Sequence, residues 1–189
     1  MNRTVTFVAI GALAWLYFNS EDTPQSLLGP DEAQDDANPN PRSNPFRRLP
    51  VTPRGIRNNN PGNLENPVGY TWVGQTTGTD PRFATFESPV YGLRAIMRTV
   101  YTYQSRYGLA TPRQIIHRWA PPSENDTDSY VDHVAEELNV SPDDPVFITN
   151  PDTATTLART ITEHENGENP YPPETYQRAY NLAFTTSSA

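Results

Sequence analysis

Among 189 residues there is no cysteine and no lysine, and only three are histidine. Without a thiol the chain can form neither a disulfide framework nor a cysteine nucleophile, and the redox compartment stays open. His117, His133 and His164 are scattered, with no H-E-x-x-H, so zinc-ligand spacing is missing and neither metal nor cofactor is expected. The G-x-S-x-G elbow of a serine hydrolase is missing too. All 14 basic residues are arginine, set against 22 acids, and the net charge of −8 argues against nucleic acid as a partner. No repeat period and no coiled-coil heptad interrupts this picture.

Long apolar runs are scarce as well, with one exception at the N-terminus. Thr4 to Phe18 is almost unbroken apolar sequence, with Arg3 before it and Glu21 and Asp22 after it. As a helix it spans roughly 22 Å, short of the ~30 Å hydrocarbon core, which leaves a cleaved signal peptide open as an alternative. Trp15, Tyr17 and Phe18 supply the aromatic interface end of an anchor, so residues 1–20 are expected to be a transmembrane anchor in a lipid membrane. Arg3 on one side and acids on the other turn the body away from the cytoplasm. Residues 21–53 are rich in Pro, Asn and Asp and cannot bury enough surface to offset their ordering entropy, so they read as a disordered tether. Residues 54–189 are long enough for one domain.

That domain opens with RGIRNNNPGNL, Arg54 to Leu64, which is dense turn chemistry because Asn and Gly tolerate left-handed backbone. Two β-like pieces follow, Tyr70 to Gln75 and Arg82 to Glu87, around the Gly- and Thr-rich Thr76 to Asp80. Five helices are predicted after them. Ser88-Pro89 starts the first, which ends at Gly108, and Thr111-Pro112 starts a short one ending at Trp119, a core residue by its spacing. Asn125 or Thr127 opens the third, Asn150-Pro151 the fourth through Leu157, Ala158 and Ile161 to Glu165, and Pro172-Pro173 the last. Arg94, Arg98 and Arg106 fall off the apolar stripe of the first helix and read as solvated. A mainly helical body with a small β-lobe is an α+β fold, an arrangement that often builds a sugar-binding cleft.

RGIRNNNPGNL, W-x-GQ, D-x-RFATFESPVYGLRA, Trp119-Ala-Pro-Pro with a following Glu-Asn, and HENGxNPY occur here in one order. Together they resemble a phage and prophage family of virion-associated proteins, itself similar to the lytic enzyme of the enveloped double-stranded RNA phages. The resemblance covers about Arg54 to Phe184. It implies a lysozyme-like domain that degrades peptidoglycan, carried on a virion with other virion proteins as neighbours.

Cleaving a glycosidic bond needs a proton for the leaving oxygen and stabilisation of an oxocarbenium-like transition state. Glu165 is the first candidate for the acid. It closes the fourth predicted helix in Glu163-His164-Glu165-Asn166-Gly167, on the inward stripe with Ile161 and Leu157, where a carboxyl is either buried and protonated or paired with an arginine. Lysozyme-like enzymes also end a helix on their catalytic Glu. Their usual order puts that acid before the Asn-rich lobe, whereas here it follows by about a hundred residues, as in a permuted arrangement. Glu87 is the second catalytic candidate, set beside the positive end of the first helix, where a carboxylate is favoured. Asp80 could assist as an ionised group, though a turn-capping Asp is the blander reading. Asn63, Gln75 and Trp72 are candidate substrate contacts, since amides bond acetamido and hydroxyl groups and an indole face packs on a sugar ring.

The expected activity is therefore a metal-independent lytic transglycosylase or muramidase acting on glycan strands in the host periplasm or wall. One acid without a firm second carboxylate tilts the reading to transglycosylase. The alternatives are a non-catalytic peptidoglycan-binding virion protein and a stem-peptide endopeptidase.

Overall fold

The computed structural model describes residues 52–123 and 126–185. The expected anchor and nearly all of the expected tether lie outside the described residues. Among the described residues no helix is long and apolar enough to cross a membrane.

Among the described residues six helices and a two-stranded sheet make a mostly helical α+β domain. In chain order they are α1 (Arg54–Arg57), β1 (Gln75–Thr76), β2 (Thr85–Phe86), α2 (Pro89–Tyr107), α3 (Pro112–Trp119), α4 (Thr127–Leu138), α5 (Pro151–Asn166) and α6 (Pro173–Phe184). The five predicted helices form at the expected places, and α1 is an addition. The β pieces are shorter than expected. Only two residues in each pair, antiparallel, with Gln75 opposite Phe86 and Thr76 opposite Thr85. The chain just before β1 is a turn, which the Gln75 side chain closes by accepting from the Trp72 N–H.

The start signals work by different routes. Thr111 makes a full capping box with Gln114, and Asn150 accepts from the N–H groups of Asp152 and Thr153. Ser88 occupies the N-cap of α2 without a side-chain bond, so Pro89 at the first position does the nucleating. α2 packs on α6, α6 on α5, α5 on α4 and α4 on α3, a series of helices around one core. Leu93, Ile96, Met97, Ile115, Ile116, Trp119, Val131, Leu157 and Ile161 fill it with no more than 1% exposure each. Burial of side chains of this size is worth about 1.5–3 kcal/mol apiece before entropy is counted. The expectation for Arg94 and Arg98 needs correction. Both reach across to the end of α6, donating to the carbonyls of Leu182 and Ala183, where cations complement the exposed carbonyl end of a helix.

The Asn-rich turn is the hub that joins the two lobes. Asn60 Nδ2 donates to the carbonyls of Leu64 and Ala84, while its Oδ1 accepts from the Leu64 N–H. Asn59, at φ 51°, donates to the Phe86 carbonyl, and Asn58 donates to Asp80. Two glycines exist here for want of space. A Cβ on Gly55 would stand 2.3 Å from Asn166 Oδ1, and one on Gly92 would stand 2.1 Å from the Asn59 carbonyl oxygen. The turn thus lies pressed between α2 and the end of α5.

Candidate active site

Glu165 occupies the last turn of α5, one residue before Asn166, and Gly167 then ends the helix in left-handed backbone. Asn166 holds that end in place by donating to the Pro61 carbonyl and to the Thr162 carbonyl, both at 2.8 Å. The Asn-rich turn and the acid meet across a hundred residues of sequence. Asn63, at φ 46° and 2% exposed, donates through Nδ2 to Glu165 Oε2 at 3.3 Å and to the Glu165 carbonyl at 3.3 Å. From the opposite side Trp119 Nε1 donates to Glu165 Oε1 at 3.1 Å.

No cation pairs with the Glu165 carboxyl among the described residues, where every ion pair lies elsewhere. Dense apolar packing therefore dominates its chemistry. Burial pushes the acid up to about 8, against the smaller opposing pull of the Trp119 and Asn63 hydrogen bonds. The residue as a whole nevertheless keeps partial exposure. A carboxyl that is crowded by protein and short of positive charge holds its proton at neutral pH and can hand it out. His164 does not compensate it. Burial holds that imidazole down to about 4, with His133 adding repulsion, so it is neutral beside the acid. Its ring stacks on Tyr130, centroids 3.5 Å apart.

The other expected site residues divide. Gln75 and Asp80 line an open groove on the β-lobe of about 520 Å³, together with Asn66, Thr71, Thr76, Thr77, Gly78, Phe83 and Thr85. Both are also committed within the lobe. Gln75 accepts from the Trp72 N–H and donates to Asn66. Asp80 accepts from the N–H groups of Arg82 and Phe83 at 3.0 Å, and pairs with Arg54 Nε at 3.6 Å. Burial raises the Asp80 acid, but those two backbone bonds, Arg54 and Asn58 outweigh it and leave the carboxyl below its ordinary value. The turn-capping reading of Asp80 describes what its oxygens do. Arg54 and Arg82 also lie over the Phe83 ring, 4.7 and 5.1 Å from its centre.

Trp72 is half-buried, edge-on to Tyr70 at 5.3 Å, and packs on the core without lining that groove. Glu87 is exposed at the exit of β2, and its N–H is held by the Gly74 carbonyl. Glu165, Asn63 and Trp119 are likewise absent from the groove's lining. The turn links groove and acid, by Asn58 to Asp80 at one end and Asn63 to Glu165 at the other. Sequence reading placed Trp119 in the core and missed its indole N–H as a partner of the acid. Apolar spacing predicts a buried ring but says nothing of where its polar edge points.

Fold and site together define a small α+β domain built around one sheltered carboxyl. No family model matches the chain. Over 134 residues it is 36% identical to Protein P5 of Pseudoalteromonas phage PM2, an alignment that spans 69% of this chain and 82% of that protein. The chain belongs to the family of that bacteriophage protein.

Proposed function

We propose that the chain is a virion-associated, membrane-anchored lytic protein whose lysozyme-like domain cuts the glycan strands of peptidoglycan. The cut would open the wall locally during genome delivery. The observation that carries this reading is the Glu165 carboxyl, sheltered, unpaired with any cation among the described residues and protonated up to about 8. Such a group supplies the one thing a glycosidic leaving oxygen needs, a proton at neutral pH. Glu165 gives that proton as the C1–O bond breaks, then as carboxylate takes one from the incoming nucleophile. Depending on whether that nucleophile is the strand's own hydroxyl or water, the domain is a transglycosylase or a muramidase. The Thr- and amide-lined groove offers hydroxyl and acetamido contacts for flanking sugars. Membership in a bacteriophage protein family supports the setting.

A zymogram on purified peptidoglycan tests the activity. Wild type is expected to clear, and Glu165→Gln to lose at least a hundredfold, since Gln is close in shape and keeps one acceptor oxygen but has no acidic proton to give. Undiminished clearing by Glu165→Gln removes Glu165 from the reaction. Release of free stem peptides would make the enzyme an endopeptidase. The anchor is tested apart from the chemistry. The intact chain should sediment with membranes, and a fragment of residues 27–189 should stay in the supernatant.

One observation favours a second reading. The groove does not include the acid among its lining residues, which is what a wall-binding protein without catalysis would have. Under that reading wild type pellets with cell walls and clears nothing.

A further inference from the structure

The C-terminal end of α6 meets two arginines of α2 that have no acid to answer them. Arg94 Nε donates to the Leu182 carbonyl at 3.2 Å, and Arg98 Nη1 donates to the next carbonyl, that of Ala183, at 3.4 Å. The Arg98 guanidinium also lies over Tyr101 at 4.6 Å and Phe184 at 5.9 Å. Those two rings meet edge-on, with centres 5.8 Å apart. Arg178 stands one helical turn before Leu182 on the same stripe of α6, and both are exposed, Leu182 at 49%. One patch thus holds three guanidinium groups, two aromatic rings and a bare leucine.

Its charge is not balanced locally. α2 contains no Asp or Glu, and the acid of α6, Glu174, lies in the first turn, about 12 Å along the helix from Leu182. None of the three arginines enters an ion pair among the described residues. The end of α6 supplies about half a negative charge, against three full positive ones. In a chain whose acids outnumber its basic residues 22 to 14, such a patch fits an acidic partner that also carries apolar side chains.

We propose that this partner is the chain's own segment Leu27 to Asp36, docked on the patch in cis. The segment lies outside the described residues and reads LLGPDEAQDD. Two leucines and four acids fall within its ten residues, and no basic residue lies between Arg3 and Arg42 to neutralise them. Leu27 and Leu28 complement Leu182 and Phe184, while Asp31, Glu32, Asp35 and Asp36 complement Arg94, Arg98 and Arg178. Reach is sufficient. The 17 residues from Ala37 to Pro53 span at most about 55–60 Å, whereas a domain of this size has a radius of gyration of about 14 Å. Attachment through one chain sets the local concentration of the segment on the order of millimolar, so a weak contact is enough. Docking shortens the spacer between the domain and residues 1–26, and it is independent of the chemistry at Glu165.

The lack of cysteine supplies the probe. Ala33→Cys gives the intact chain a single thiol, and a nitroxide attached there broadens the NMR signals of nearby residues. In neutral detergent micelles at low salt, the amide signals of Arg178, Leu182 and Phe184 should lose at least half their intensity relative to the reduced label. At about 1 M salt, where the screening length is about 3 Å, that loss should shrink by more than half. Arg178→Glu should weaken the broadening at low salt, and Asp35→Arg added to the same chain should restore it. Should Arg178→Glu fail to fold, Asp35→Arg alone must weaken the broadening. Unbroadened signals at the patch overturn the proposal, as does broadening confined to another face or to the residues around Arg47. Broadening found only between chains, with the label on one and the isotope on another, makes the occupant a second copy and overturns docking in cis.

Discussion

Asn63 gives one amide nitrogen to Glu165 twice, 3.3 Å from its main-chain carbonyl and 3.3 Å from its carboxylate, across 102 positions of sequence. The pair does two jobs. It fastens the Asn-rich turn to the end of α5, and it holds the acid without bringing a charge to it. A lysine or arginine in the same place would keep the carboxylate ionised and remove the proton the proposed chemistry uses.

The raised acid predicts a slope in stability. Folded Glu165 stays protonated to about 8, while the unfolded carboxyl ionises near its ordinary value of 4.5. Between those limits the native state binds the extra proton, so stability is full below the lower limit and falls as pH rises. The steepest contribution is about 1.4 kcal/mol per pH unit. Urea unfolding at pH 5 and pH 8 should show wild type losing stability relative to Glu165→Gln over this window. Parallel profiles for the two proteins would mean that the carboxyl is not sheltered in solution.

Trp119→Phe removes the indole donor and leaves a gap in a fully buried position. Lost packing and an unpaired carboxyl oxygen should together cost about 2–4 kcal/mol. Because the Trp119 bond opposes the effect of burial, its loss should move the Glu165 titration above about 8. Carboxyl-carbon NMR on glutamate-labelled protein measures that shift directly. A downward shift would contradict the assigned geometry.

Helix positions were legible in the sequence because their signals are local. Pro112, Pro151 and Pro173 stand in the first turns of their helices, and Gly108 and Gly167 end theirs. Apolar spacing found the faces of Leu93, Ile96 and Met97. Glu165 stood out for the same reason, as an acid on an apolar stripe at a helix end. What sequence could not supply was direction. The Trp119 indole edge, the Tyr130 hydroxyl and the reach of Arg94 to the Leu182 carbonyl depend on how distant helices pack. The strands are short because turns closed by the Gln75 and Asp80 side chains occupy Trp72–Gln75 and Asp80–Phe83, where longer β pieces were expected.

Gly92 tests the hub. On an exposed helix Gly→Ala would gain about 1 kcal/mol from propensity alone. Here the new Cβ would stand 2.1 Å from the Asn59 carbonyl oxygen and 2.7 Å from Pro61 Cδ. Backbone oxygen cannot step aside cheaply, so the clash decides the sign and Gly92→Ala should lose about 3 kcal/mol. Thermal unfolding measures it. A stabilised variant would show that the turn does not press on α2.

Asp80 should behave in the opposite sense to Glu165 with pH. Its folded carboxyl is held below 3.8, so its contribution is complete above that value and is lost as pH falls through the folded one. Asp80→Ala strips acceptors from two backbone N–H groups and a partner from Arg54, and should cost about 1–3 kcal/mol at pH 7. Asp80→Asn keeps one oxygen and should cost less. At pH 2.5 the gap between Asp80→Ala and wild type should narrow, and an unchanged gap would assign the cost to packing alone.

Groove and acid can be separated by filling the groove. Thr77 lines it and is exposed, so Thr77→Arg adds bulk without disturbing a packed neighbour. If the groove carries flanking sugars, this variant should fold as wild type, bind cell walls at least tenfold more weakly and raise KM for glycan without changing kcat. Glu165→Gln should do the reverse, binding walls normally while cutting poorly. The two effects are independent because uniform binding and transition-state proton transfer are different terms in the rate. If Thr77→Arg leaves wall binding untouched, the sugar strand crosses another face.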